Sequence, residues 1–133
     1  MLFRSAKDIV RHFLGRGFVG KAMVVSIDKA TALKMHDKVR KYWAAELGRV
    51  QKELGRYDLT AERKVELLDR LKVLQTTDMA LIVSPGQNEI QQMQARGLDI
   101  VPHRKRMNES QPPLDEKFKD SEDPLRIVFL CAM

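Results

Sequence analysis

The sequence has one cysteine, Cys131, among 133 residues. A single thiol forms no internal disulfide and no cysteine-based zinc cluster, and it accords with a reducing compartment. No window is apolar over the length that a membrane span needs. Residues 1–8 bring in Arg4, Lys7 and Asp8 too early for a secretory signal. The expectation is a cytoplasmic protein with no membrane partner. A phosphate-binding loop is missing too. Gly15 to Ala22 comes within one residue of G-x-x-x-x-G-K-[ST], but Ala22 lacks the hydroxyl that holds magnesium. That motif also follows a strand and opens a helix, and here the order is reversed. His12, His36 and His103 are scattered without metal-ligand spacing and read as solvated or structural side chains. No catalytic residue, metal site or cofactor is expected in this chain.

What is present is a globular composition, 44% hydrophobic and 32% charged, with net charge +6 and a pI near 9.6. That balance favours anionic partners, nucleic acid first. The organising stretch is Gly20 to Asp28. Ala22, Met23, Val24, Val25 and Ile27 form a short apolar run interrupted by Ser26, which suits a strand buried on both faces. Asp28 then caps a helix. Ahead of this strand, Ser5 caps a helix to about Leu14, with Asp8 as its capping-box partner and Ile9, Val10, Phe13 and Leu14 as its apolar stripe; Gly15 and Gly17 end it. After Asp28 a helical stripe of Leu33, Val39, Trp43, Leu47, Val50 and Leu54 runs to Gly55. A turn follows at residues 56–59, and Thr60 caps a second helix. Residues of about 46–75 thus read as a charged helical hairpin, longer than a simple crossover needs and so an insertion.

Residues 78–84 are the second buried strand, ended by Pro85 and Gly86. A short helix with Ile90 and Met93 inward stops at Gly97. Residues 98–102 read as a weaker extended piece, and residues 103–113, carrying Arg104, Lys105 and Arg106, as an exposed loop. Leu114 to Lys119 is a short helix, residues 120–124 a polar turn, and Leu125 to Cys131 the third strand. Strands separated by helical crossovers give an α/β fold with a parallel sheet. The sheet's last strand closes the sequence at Met133, so a piece of a larger protein is expected. Trp43 and Cys131 read as core residues. Candidate phosphate contacts are Ser26, Lys29 and Ser84, at the carboxyl ends of the two inner strands beside a helix start, and the Arg104, Lys105, Arg106 cluster.

Gly20-Lys21-Ala22-Met23-Val24-Val25-Ser26 resembles motif IV of superfamily 2 helicases, in the wording of the restriction (motor) subunit of type I restriction-modification enzymes. Phe118-Lys119-Asp120 and the run from Asp123 to Met133 are similar to that family's approach to motif V, which continues Trp-Leu-Thr-Gly-Phe-Asp, and Gly97-Leu98-Asp99-Ile100 fits the stretch between. The resemblance is loose over most of the chain and most specific in the final strand. It implies a truncated second RecA-like domain, residues 1–133, of an ATP-driven double-stranded DNA translocase. The parent would be a type I site-specific deoxyribonuclease that uses ATP and magnesium and assembles with methylase and specificity subunits. The chain alone would not be an enzyme. The phosphate-binding and Walker B motifs, the motif V residues beyond Met133, motif VI and the nuclease carboxylates are absent here, so only motif IV's place beside the DNA, at Ser26, carries over. The rival readings are a non-enzymatic interaction module that docks a partner on the helical hairpin and a small basic nucleic-acid-binding α/β protein. Self-association through apolar surface left open by the sheet is a further expectation.

Nothing in the sequence cradles the β- and γ-phosphates, so the isolated chain should neither bind nor hydrolyse ATP. Micromolar nucleotide affinity in calorimetry, or steady turnover, would overturn this.

Overall fold

The computed structural model describes residues 6–15 and 20–132; the cap expected of Ser5 and the stop expected of Gly17 lie outside them. In chain order the elements are α1 (Ala6–Leu14), β1 (Ala22–Ser26), α2 (Lys29–Leu54), α3 (Ala61–Thr76), β2 (Asp78–Leu81), α4 (Glu89–Gln94), α5 (Val101–Glu109), α6 (Leu114–Lys119) and β3 (Leu125–Cys131). The class is α/β with a three-stranded parallel sheet. Two compact units divide the chain. One holds α1 and Lys38–Thr77. The other holds Gly20–Asp37 and the residues from Asp78 onward, including the whole sheet.

The sheet order is β1-β3-β2, so the last strand inserts between the first two. Composition explains the choice of centre. A middle strand is covered on both faces and must be apolar on both, and in β3 Leu125, Ile127, Val128 and Phe129 are each at most 1% exposed. β1 differs from its expectation. Val24 and Ser26 are buried, but Met23, Val25 and Ile27 are 58%, 60% and 75% exposed. Its only ladder among the described residues is with β3. Leu114 from α6, with Met107 and Phe118 beside it, packs on Ala80, Leu125 and Val128, so the helical cover lies over β2 and β3. An apolar run does not reveal whether one face or two will be covered. β2 is also shorter than residues 78–84. The Ile82 amide still donates to the Phe129 carbonyl at 3.0 Å, but the Val83 amide turns to Met107 Sδ at 3.4 Å.

The helix ends around the sheet follow from local chemistry. Asp28 Oδ1 accepts from the Thr31 amide at 2.7 Å and caps α2, as its sequence position predicts. α4 buries Met93, but its other inward residue is Glu89, while Ile90 is 41% exposed, reversing the expected role of Ile90. Gly97, at φ +73°, closes the following turn; its amide bonds the Gln94 carbonyl at 2.9 Å and the Leu98 amide bonds Met93 at 2.8 Å. That double bond pattern needs a left-handed residue. Residues 98–102 form no strand, and the expected loop from His103 is the helix α5. Pro102 stands in its first turn, where a missing amide costs nothing, so this proline starts the helix. α6 and the turn after it fall where expected.

In the other unit the part of α2 from Lys38 onward pairs antiparallel with α3, over a longer span than residues 46–75. Thr60 caps α3 by accepting from the Arg63 amide at 3.1 Å. Near the turn Arg63 donates to Glu53 at 2.7 Å, and towards the far end the Trp43 indole donates to the Leu74 carbonyl at 2.9 Å. Trp43 is buried and meets the edge of Phe13 from α1 at 5.6 Å between ring centroids, a core role.

Phe129→Ala should cost about 3–5 kcal/mol of stability, whereas Ile27→Ala should stay within about 0.5 kcal/mol. Urea unfolding of the two variants tests this, and equal costs would contradict the central placement of β3.

Candidate nucleic-acid interface

The carboxyl ends of β1 and β3 lie side by side, with Ser26 opposite Cys131 in the register. The Ala132 amide donates to the Ser26 carbonyl at 2.8 Å, extending the ladder beyond β1. Ser26 is 9% exposed and sits beneath the edge. Beside this edge opens a cleft of about 580 Å³ that Ser26 does not line; its walls include Asp28 and Lys29 at the start of α2, Gln92 and Arg96 after β2, and Cys131. Cys131 is half-buried at this rim, less enclosed than a core role implies. The Thr31 amide and hydroxyl, with the Arg96 charge behind them, hold the Asp28 carboxyl below the usual carboxylate range. Asp28 is therefore an anion committed to the helix start.

The other feature of this edge is a buried carboxylate. Glu89, 8% exposed, receives Arg104 at both oxygens, 2.7 and 2.8 Å, and Lys29 Nζ at 3.3 Å. Arg104 also donates to the Val83 carbonyl at 3.1 Å and the Ser84 carbonyl at 3.0 Å, fixing the chain after β2. The Arg104 hydrogen bonds, with lesser help from Lys29, hold the Glu89 pKa down. A Cβ on Gly86 would lie 2.8 Å from Lys29 Nζ, so a side chain at this position would displace the ammonium from where it sits.

The sequence candidates therefore separate. Lys29, the Ser84 carbonyl and Arg104 converge on or beside Glu89, while Ser84 itself is exposed. Arg104, Lys105 and Arg106 do not form one exposed patch, because a helix points successive residues apart. Arg106 pairs with Asp78 and donates to the Met79 carbonyl at 2.8 Å, at the start of β2. Lys105 faces outward beside a shallow hollow of about 410 Å³ that Lys117 shares. Two rings that looked scattered in the sequence meet: His36 on α2 and His103 on α5 stand edge to face, 4.6 Å between centroids, with His36 also against Phe129 at 5.3 Å. Burial, and then the neighbouring His36, lower the His103 pKa.

Sequence reasoning missed Glu89 and Arg96. It also missed the work of Lys21, which donates to the Asp123 carbonyl at 2.9 Å and the Leu125 carbonyl at 2.5 Å. Glu89 lies in a polar stretch, and its burial depends on cations from α2 and α5, so no local signal marks it. Comparison with family models, with curated proteins and with solved structures finds no match to this chain.

The lowered Glu89 pKa means the unfolded chain takes up a proton first as pH falls. The pair's contribution is full above about pH 4.3, the ordinary value for Glu, and is lost as pH drops through the folded value. Glu89→Gln should cost on the order of 1–3 kcal/mol at pH 7, and the gap to the parent should narrow below about pH 4. Urea midpoints at several pH values measure both, and an unchanged midpoint at neutral pH would show that the cluster adds no stability.

Proposed function

We propose that this chain belongs to the second RecA-like domain of the motor subunit of a type I restriction-modification enzyme, where it helps form the track for double-stranded DNA. One observation carries the reading. The two stretches that resemble the family, Gly20–Ser26 and Asp123–Cys131, are far apart in sequence yet form adjacent parallel strands, and Lys21 of the first bonds the backbone of the second. Their carboxyl ends open together on the cleft with Lys29 and Arg96, where an α/β sheet favours a ligand. Sequence-blind contact with phosphates is what a translocase requires of such an edge. ATP and magnesium serve the parent enzyme elsewhere. Among the described residues no set fits them, and no step of nucleotide chemistry is assigned to this chain. Methylase and specificity subunits are the parent's partners, and self-association through Met23 and Val25 on β1 and Ile27 just after it accompanies the reading.

A second reading, the interaction module, is favoured by the hairpin. Val65 and Leu68, three apart on α3, are 59% and 47% exposed, and Tyr57 in the turn is fully exposed. A partner that covers this face would use the hairpin rather than the sheet.

Fluorescence anisotropy with duplex DNA separates the two. With two or three phosphate contacts, affinity should fall on the order of 10- to 40-fold between 50 and 200 mM salt, with no sequence preference. Lys29→Ala and Arg96→Ala should each reduce the salt slope by about one. Full affinity and slope in the double variant would move the DNA away from this cleft.

A further inference from the structure

The rings of His36 and His103 and the carboxylate of Asp37 are a cluster that the motor reading does not use. One ligand atom from each of the three lies within 4.8 Å of the others. The His36 Nδ1 is already 3.1 Å from Asp37 Oδ1. Around one zinc ion, with Zn–N near 2.0–2.1 Å and Zn–O near 2.0–2.2 Å, tetrahedral ligand atoms stand about 3.3 Å apart. The closure required is small enough for side-chain rotation. The elements that carry the ligands are held by the sheet: His36 packs on Phe129 of the central strand, and α5 is tied to β2 by Arg106 and to the chain just after β2 by Arg104.

We propose that His36, Asp37 and His103 form a binding site for a divalent transition metal of the zinc class, with an open fourth position filled by water. Two imidazoles with one carboxylate select such an ion over magnesium or calcium, which favour all-oxygen sets. The His36 side chain is only 12% exposed and Asp37 is 56% exposed, so the nitrogen ligand is sheltered and the carboxylate side admits the ion and its water. His36 and His103 lie in the two separate stretches of sequence that make up the sheet-bearing unit, so the complete ligand set exists only in the folded chain. The metal would act as a clip between α2 and α5. It is independent of any DNA contact.

The test uses the whole chain, stripped of metal with a chelator. At zinc about 100-fold above its dissociation constant, Tm should rise by roughly 5–10 °C, and millimolar magnesium should leave it unchanged. Cobalt should give the intense visible absorption of a low-coordinate nitrogen and oxygen site. His103→Gln should abolish both responses. Asp37→Asn lies at the surface and threatens no folding; it should weaken zinc at least tenfold in a competition titration. Cys131→Ala and His12→Gln should change neither response. The site is refuted if zinc leaves the parent's Tm unmoved, if Asp37→Asn binds zinc as tightly as the parent, or if Cys131→Ala or His12→Gln removes the response. Should His103→Gln fail to fold, the Asp37→Asn affinity decides alone.

Discussion

The structure rests on one constraint: β1 and β2 do not touch, and β3 must come between them. Among the described residues, both strand pairings of the sheet have β3 on one side. Four of its side chains, Leu125, Ile127, Val128 and Phe129, are accordingly at most 1% exposed, and both faces of the sheet are built on them: Phe129 under His36, and Val128 and Leu125 under Leu114 of α6. Parallel pairing between strands so distant in sequence closes long loops before it gains contacts, which makes the arrangement slow to nucleate and strongly cooperative once formed.

Charge is used in two ways that composition cannot separate. On the α2–α3 hairpin, Glu46, Arg49, Glu53, Arg63 and Arg70 form a half-exposed lattice of pairs at 2.6 to 3.4 Å. Such pairs contribute little each. At the sheet edge, one carboxylate gathers two cations away from water, where loss of a partner costs far more. The net charge of +6 averages over both.

The sequence made legible whatever short-range chemistry determines. Asp28 and Thr60 read as caps because a side-chain oxygen sits beside free amides, and Gly97 reads as a stop because only glycine takes its backbone angle at no cost. β3 was legible as a run too apolar to be anything else. What stayed hidden depends on partners far along the chain. The exposure of Val25 turns on which strand lacks a neighbour, the burial of Glu89 on Arg104, and the helix from Val101 on a proline whose effect reverses between a helix interior and its first turn. The meeting of His36 and His103 belongs with these. The candidate site was legible in its place, the carboxyl ends of the strands, and illegible in its membership.

Lys29 has a further consequence. Its single ammonium faces two claims: Glu89 holds it at 3.3 Å, and it also lines the cleft. A phosphate entering the cleft competes with that carboxylate, so the energy of contact is a difference between two attractions and is smaller than the bare charge suggests. An anion that draws the ammonium across leaves Glu89 to Arg104, which is bonded to the backbone after β2. Under the proposed reading as a DNA track, the cleft's grip on a phosphate would therefore be weaker than its charge suggests, which suits a ligand that slides.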